Sequence, residues 1–241
     1  MVKRKIKLGV NIDHIATLRN ARGDNIISLQ RAVEILKKCD VDSITVHLRE
    51  DRRHIKDLDV FELKKHNTLP LNLEMAATKE MQKICLKVSP FACCIVPEKR
   101  AELTTEGGLN VLKQKKFLKD IILPLIKKNI RVSLFVDPDV EQIKAAKEIG
   151  AKVIELNTGK FANNFQKKNH KLELEKINGA VHFAHNLKLE CHAGHGINFF
   201  NVKELIRIKN IEEFNVGYSI ICESIFLGLE QTIKLFKKKL N

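Results

Sequence analysis

Flat rings are scarce in this chain. Its 241 residues include no tryptophan and one tyrosine, so it has little on which nucleic-acid bases could stack. No apolar run reaches about 18 residues, the length that a membrane-crossing helix needs. The basic start Met1-Val2-Lys3-Arg4-Lys5 leads into an alternating Ile6-Lys7-Leu8 rather than an apolar signal core. A cytoplasmic protein with no membrane partner is therefore expected. No C-x-x-C pair occurs among the six cysteines. Cys93 and Cys94 are neighbours that point to opposite faces of a strand, which suits buried thiols better than an ordinary disulfide. A P-loop signature, a lone G-x-G-x-x-G and any long Pro/Gly/Ser linker are also missing, which argues against a nucleotide site of those kinds and for one domain over residues 1–241.

Acidic residues are in deficit as well: 43 lysines and arginines face 29 acids, a formal charge of +14. Most of the lysines are scattered over helix-like segments, with one modest cluster at Lys237-Lys238-Lys239. Solvated helix faces account for that pattern, and the surplus field favours small anionic substrates over nucleic acid.

Short apolar runs alternate with helical periodicity along the whole chain. The strands expected are Lys7–Asn11, Ser43–Leu48, Leu71–Met75, Ala92–Val96, Val132–Val136, Val153–Asn157, Glu190–Ala193 and Glu213–Gly217. Amphipathic stretches lie between them, at Leu29–Lys38, Leu58–His66, Glu80–Val88, Phe117–Lys128, Val140–Ile149, Leu172–Leu187, Val202–Ile208 and Ile220–Leu240. Asp139 is placed to cap one helix and Gly150 to end it. Strict alternation implies a parallel sheet, and eight units of roughly 30 residues fit an α/β fold of the (β/α)₈ TIM-barrel type.

Barrel chemistry sits where the strands end. Those ends deliver Asn11, Asp13 and His14; His47, Arg49 and His54; Glu74; Glu98, Lys99 and Arg100; Asp137; Glu155; His192 and His195; and Gly217 with Tyr218. The strand starts carry what read as ordinary solubilising residues. Nearly every strand thus brings an ionisable group to one rim, and the chain reads as an enzyme.

Several of these residues admit two readings. Glu74, in the apolar context Leu71-Asn72-Leu73-Glu74-Met75, is either a desolvated acid/base or the structural partner of a rim arginine. Glu155 carries the same ambiguity. His47 and Arg49 share a face and pair an imidazole with an anion fork, unless His47 only satisfies a backbone carbonyl. Asn11 and Asp13 similarly share a face, where they can orient a hydroxyl or amine, and Arg22 lies in the following loop. In Cys191-His192-Ala193-Gly194-His195-Gly196 the H-x-x-H spacing lacks a third metal ligand, so a catalytic imidazole at His195 is preferred to a metal site. Gly194, Gly196 and Gly217-Tyr218-Ser219 form the barrel-type phosphate cradle of backbone N–H groups and a helix N-terminus. Thr104-Thr105-Glu106-Gly107-Gly108 is either a mobile lid or a capped turn.

Taken together, Gly9 to Gly23, Thr45 to Ile55, Asn72 to Met75, Val96 to Arg100, Thr104 to Gly108 and Ala193 to Gly196 resemble the pyridoxine 5′-phosphate synthase family of vitamin B6 biosynthesis, over nearly the whole chain. The resemblance implies a TIM barrel with additional helices, assembled as a homo-octamer. The implied reaction condenses 3-amino-1-hydroxyacetone 1-phosphate with 1-deoxy-D-xylulose 5-phosphate to pyridoxine 5′-phosphate, phosphate and water, with no metal or organic cofactor. By position, His47 and Glu74 correspond to proton acceptors and His195 to a proton donor. Asn11, Arg22, Gly196, Gly217 and Tyr218 correspond to holders of the aminoketone phosphate. Asp13, His14, Arg49, His54 and Thr104 correspond to holders of the pentulose phosphate, and Glu155 to an acid in the same cavity. Two positions depart from the pattern: Tyr218 stands where histidine is usual, and His192 where asparagine is common. A barrel isomerase or aldolase acting on a single sugar phosphate is the alternative enzyme, and a basic nucleic-acid-binding protein the non-enzymatic one.

Overall fold

The computed structural model describes residues 6–23, 26–99, 107–165, 167 and 170–240. Eight strands close into a parallel barrel in chain order: β1 (Lys7–Asn11), β2 (Ser43–His47), β3 (Leu71–Met75), β4 (Ala92–Ile95), β5 (Arg131–Val136), β6 (Val153–Asn157), β7 (Glu190–Gly194) and β8 (Ile211–Val216). Each matches an expected strand, with ends shifted by at most two residues. The helices are α1 (Asp13–Arg22), α2 (Leu29–Lys38), α3 (Asp57–His66), α4 (Lys79–Val88), α5 (Lys115–Lys127), α6 (Val140–Glu148), α7 (Gly159–Asn164), α8 (His170–Asn186), α9 (Val202–Leu205), α10 (Tyr218–Leu227) and α11 (Leu229–Leu240).

The core lies between strands and helices. Outward-facing strand residues such as Val10, Ile44, Val46, Leu73, Ile95, Leu134, Ile154 and Phe214 are fully buried under the helical ring. In α2 the buried residues Leu29, Ala32, Val33 and Leu36 recur at helical spacing, and the Ser28 hydroxyl caps its start by accepting from the Arg31 N–H. Asp139 caps α6 through the Glu141 and Gln142 N–H groups, and Gly150 takes the positive φ of 99° just beyond its end. Among the described residues, no helix is long and apolar enough to cross a membrane.

Four features differ from the sequence reading. Helix α1 begins at once after β1; only Asp13 and Ala16 of it are buried, so it shows almost no apolar stripe. Helix α7 is another addition, six residues long. The expected Ile220–Leu240 helix is two, because Gly228 leaves helical geometry at φ 77°. The strand starts, finally, are not merely solubilising. Arg131 of β5 reaches Glu190 of β7 at 3.3 Å and Glu213 of β8 at 3.4 Å. A side chain that touches β8 from β5 must cross the barrel's interior.

That interior is rich in polar groups. Ser43, Thr45, Asn72, Ser133, Glu155, His192, Glu213 and Asn215 are all buried, where barrels usually stack branched apolar side chains. Cohesion therefore rests on the outer layer between sheet and helices. Truncating Leu36, which is wholly buried, should destabilise the fold by about 2–5 kcal/mol. Denaturant unfolding of Leu36→Ala checks this, and a loss under 1 kcal/mol would contradict it.

Candidate active site

At the C-terminal mouth of the barrel lies a cavity of about 700 Å³. Ten of the residues singled out from sequence line it: Asn11, His14, His47, Arg49, Glu74, Glu155, His195, Gly196, Gly217 and Tyr218. Asp13 sits just behind them. Its Oδ1 accepts the His47 N–H at 2.8 Å, and its Oδ2 accepts from Asn11 Nδ2 at 2.8 Å. Asp13 is thus turned back to brace β2 rather than sharing an open face with Asn11, because it is the first residue of α1. His54 lies beside His47, with ring centroids 6.1 Å apart. Arg22 is exposed in the last turn of α1 and does not line the cavity. Thr104 lies outside the described residues, as does Arg100.

His192 does not reach the rim. It is paired in register with Glu155 but buried below it, with Nε2 donating to Glu190 Oε1 at 2.8 Å. Other cavity or near-cavity groups had no sequence signal as site residues. Phe135 stands edge-on to His195 at 6.3 Å between ring centroids. Asn215 donates to Glu155 Oε2 at 2.7 Å. Glu98 was visible only as a strand-end acid, yet its Oε1 lies 2.9 Å from His47 Nε2 and its Oε2 accepts the Glu50 N–H at 3.1 Å.

His47 is held from three sides. Nε2 faces Glu98, the backbone N–H is fixed by Asp13, and Nδ1 looks across 3.9 Å to Glu74 Oε2. The structural reading, a histidine spent on a backbone carbonyl, does not describe this ring. Burial would raise the Glu98 carboxyl, but the bonds from His47 and the Glu50 N–H, with the charges of His47 and Arg49, outweigh it and bring it below its ordinary value. Glu98 is therefore an ionised anchor for the imidazole.

The other carboxyls behave in the opposite way. Burial raises Glu74 well above the usual range, and the neighbouring Glu155 and Asp13 charges push it further. Glu155 is raised to about 7, chiefly by burial, with His192 and the Asn215 amide pulling it back. Asp13 is raised to about 6, again mainly by burial. Asp13 and Glu155 are thus displaced toward neutrality, where a carboxyl can exchange protons at physiological pH, and Glu74 is displaced in the same direction. His54 moves the other way: burial, then the charges of His47, Arg49 and His14, lower it to about 4. Its Nδ1 accepts the Ile55 N–H at 2.9 Å, so near neutral pH it offers Nε2–H to the site.

Asp13, His47 and Glu74 each bring one ligand-capable atom within 4.8 Å of the others. Each Asp13 oxygen already accepts a hydrogen bond.

Beyond β7, His195 has φ 74° and Gly196 φ 79°. The first value is unusual for a side chain bearing Cβ and marks a loop held in place by its surroundings. The holders are Thr158 Oγ1, which donates to the His195 carbonyl at 2.7 Å, and Asn201 Nδ2, which donates to the Gly196 carbonyl at 2.9 Å. Opposite, Gly217 opens α10, and Ser219 Oγ donates to the Ile197 carbonyl at 2.8 Å, tying the two loops together.

A closed eight-stranded barrel with acid/base groups converging at its C-terminal mouth defines the molecule as a TIM-barrel enzyme. Solved structures agree on the fold. A thiamine phosphate pyrophosphorylase from Pyrococcus furiosus superposes with TM-score 0.59 at 16% identity, covering 100% of both chains. The N-(5′-phosphoribosyl)anthranilate isomerase of the same organism gives TM-score 0.61 at 15% identity, covering 98% of each. Sequence is more specific. Residues 8–241 match the family described as pyridoxal phosphate biosynthesis protein PdxJ. A pyridoxine 5′-phosphate synthase from Sulfurihydrogenibium sp. (strain YO3AOP1) is 50% identical over 236 residues, 97% of each chain. One from Geobacter sp. (strain M21) is 52% identical over 228 residues, 95% of each. The chain belongs to the PdxJ family and is a biosynthetic enzyme of the synthase kind.

A Cβ at Gly194 would collide with Glu155 Oε1, a group that Asn215 holds and burial confines. Gly194→Ala should cost about 1–3 kcal/mol of stability through overpacking, while cutting turnover at least about tenfold, or 1.4 kcal/mol of barrier. Parallel melting and rate measurements check this, and unchanged turnover would show that Glu155 has freedom to move.

Proposed function

We propose that this chain is a pyridoxine 5′-phosphate synthase that condenses 3-amino-1-hydroxyacetone 1-phosphate (3-amino-2-oxopropyl phosphate) with 1-deoxy-D-xylulose 5-phosphate, releasing phosphate and water. The observation that carries the reading is the gathering of His47, Glu74, Glu155 and His195 around one cavity that Arg49 and the N-terminus of α10 also line. Imine formation, dehydration and ring closure each move protons between carbon, nitrogen and oxygen, so one acid and one base would not suffice.

In this reading Glu74 and His47 accept protons at the condensing centres, with Glu98 keeping the imidazole aimed. His195, exposed at the opposite wall, donates to a departing oxygen. Glu155 serves the same cavity from below. Gly196, Gly217 and Tyr218, at the N-terminus of α10 and facing Asn11, hold the aminoketone phosphate through backbone N–H groups and the helix dipole. Tyr218 offers a neutral hydroxyl there, so the backbone carries more of the phosphate's charge. Arg49, His54, His14 and Asp13 hold the pentulose phosphate together with Thr104, Asp13 also bracing the His47 backbone; Arg22 is assigned to the aminoketone phosphate, which it reaches only by moving from its exposed place on α1. None of these steps calls for a metal or organic cofactor. The chain acts in the cytoplasm, assembled as a homo-octamer. The outward exposure of Ile26, Ile225 and Phe226, at 83%, 67% and 82%, supports burial against further copies.

The test supplies both phosphorylated substrates and each alone, following pyridoxine 5′-phosphate by absorbance and phosphate by colour. Product should require both. Turnover of either substrate alone would favour a single-substrate isomerase or aldolase instead. Glu74→Gln and His47→Ala should each lower kcat by about 10²–10⁴-fold, the range for a lost acid/base group. Full turnover in Glu74→Gln would remove Glu74 from the mechanism.

A further inference from the structure

Below the cavity, the barrel holds a second ionic layer that the reaction as described does not use. The His192 ring lies between Glu190 Oε1 at 2.8 Å and Glu213 Oε2 at 4.0 Å. Arg131 reaches both of those carboxylates from β5. Ser43 Oγ donates to Glu213 Oε1 at 3.2 Å. His192 and Glu213 are almost completely buried, at 3% and 2% exposure, so water screens their interaction weakly.

This layer lies directly under Glu155. The parallel register pairs Glu155 with His192 on adjacent strands, which sends both side chains into the barrel. Asn215 links Glu155 further down: its Nδ2 donates to Glu155, and its Oδ1 accepts from Thr45 Oγ1 at 3.4 Å. Around this column stand Glu74 from β3, Asn72 of the same strand through its bond to Thr45 Oγ1, Cys94 from β4, Arg131 from β5, Glu190 from β7 and Glu213 from β8, while Lys7 of β1 acts on Glu190 from the outer edge.

Counting charge shows what His192 does. Two acids, Glu190 and Glu213, share one guanidinium, Arg131, beneath Glu155, and the His192 ring is set between them. We propose that His192 is a positioning residue for Glu155: bonded to Glu190 and facing Glu213 beneath the Glu155 side chain, it sets the charge state in which Glu155 serves the cavity. Consistent with this, Glu190 is lowered to about 2, first through its bond from His192. Among the groups that oppose burial at Glu155, His192 is the largest. The proposal rests on Glu155 being a working group of the proposed synthase.

Two substitutions make opposite demands. His192→Asn removes the ring that sits between the two acids and should raise the Glu155 titration midpoint by about one pH unit or more, the scale of a close charge. Glu213→Gln removes a negative charge and should lower it. Infrared titration of the protonated carboxyl band reads the midpoint without turnover, the Glu155 band being the one missing in Glu155→Gln. The limb of the kcat–pH profile that Glu155→Gln abolishes should move with it. Opposite shifts support the proposal; unmoved midpoints, or shifts of one sign in both variants, overturn it. Should His192→Asn fail to fold, His192→Gln, which also removes the ring from between the two acids, must raise the midpoint, and an unmoved midpoint there overturns the proposal. If the native enzyme makes no product from the two phosphates, the synthase reading fails, and the coupling is judged by the infrared shifts.

Discussion

Taking a carboxyl group out of water is among the most costly things a fold can do, and this barrel does it at one mouth with Asp13, Glu74 and Glu155. Burial raises the proton affinity of all three, and at Glu74 the neighbouring acids add to it. The rest of the structure is arranged around that cost. Asp13 receives an N–H and an amide. Glu155 receives the Asn215 amide. Glu74 has only the His47 Nδ1, 3.9 Å from its Oε2, facing it as an ion-pair partner among the described residues. A group stabilised this little in its ionised form is one that takes up and releases protons readily.

The scaffold supplies the energy from elsewhere. An outer shell of closely packed aliphatic residues carries cohesion, leaving the barrel's interior free to be polar. Loops that approach the cavity are pinned through their carbonyls by Thr158, Asn201 and Ser219. Rigid walls matter because a proton-transfer group must stay within hydrogen-bond reach of its substrate atom.

Much of this was legible in the sequence. Strand positions followed from runs such as Ser43 to His47, where buried β-branched residues end abruptly in charge, and barrel closure followed from eight repeats of strand and helix. The rim residues were legible because a parallel barrel sends its strand ends to one face. Helix α1 was not, since it buries little and its apolar spacing is weak. The break at Gly228 was hidden because apolar periodicity continues on both sides of it. Arg131, Glu190 and Glu213 were misread because a charged residue near a strand's start looks the same whether it faces water or the barrel axis, and His192 was placed at the rim with the strand ends although it turns down to Glu190. Only register decides, and register depends on strands far apart in the chain. Glu98 was seen as a strand-end acid, but its bond to His47 spans 51 positions.

Stability against pH for Glu74→Gln, compared with the native enzyme, tests the account most directly. A carboxyl whose folded proton affinity is raised costs nothing below its unfolded pKa of about 4.3. It costs progressively more as pH rises toward the folded value, and the cost then stays constant. Glutamine removes that cost while filling the same space. Unfolding free energies should therefore coincide near pH 4 and diverge by pH 8, with Glu74→Gln the more stable by about 1.4 kcal/mol for each unit of the upward shift, even as turnover is lost. Equal stability at pH 8, or a less stable variant with an unchanged pH dependence, would mean that Glu74 is well solvated or firmly paired, and the central claim would fall.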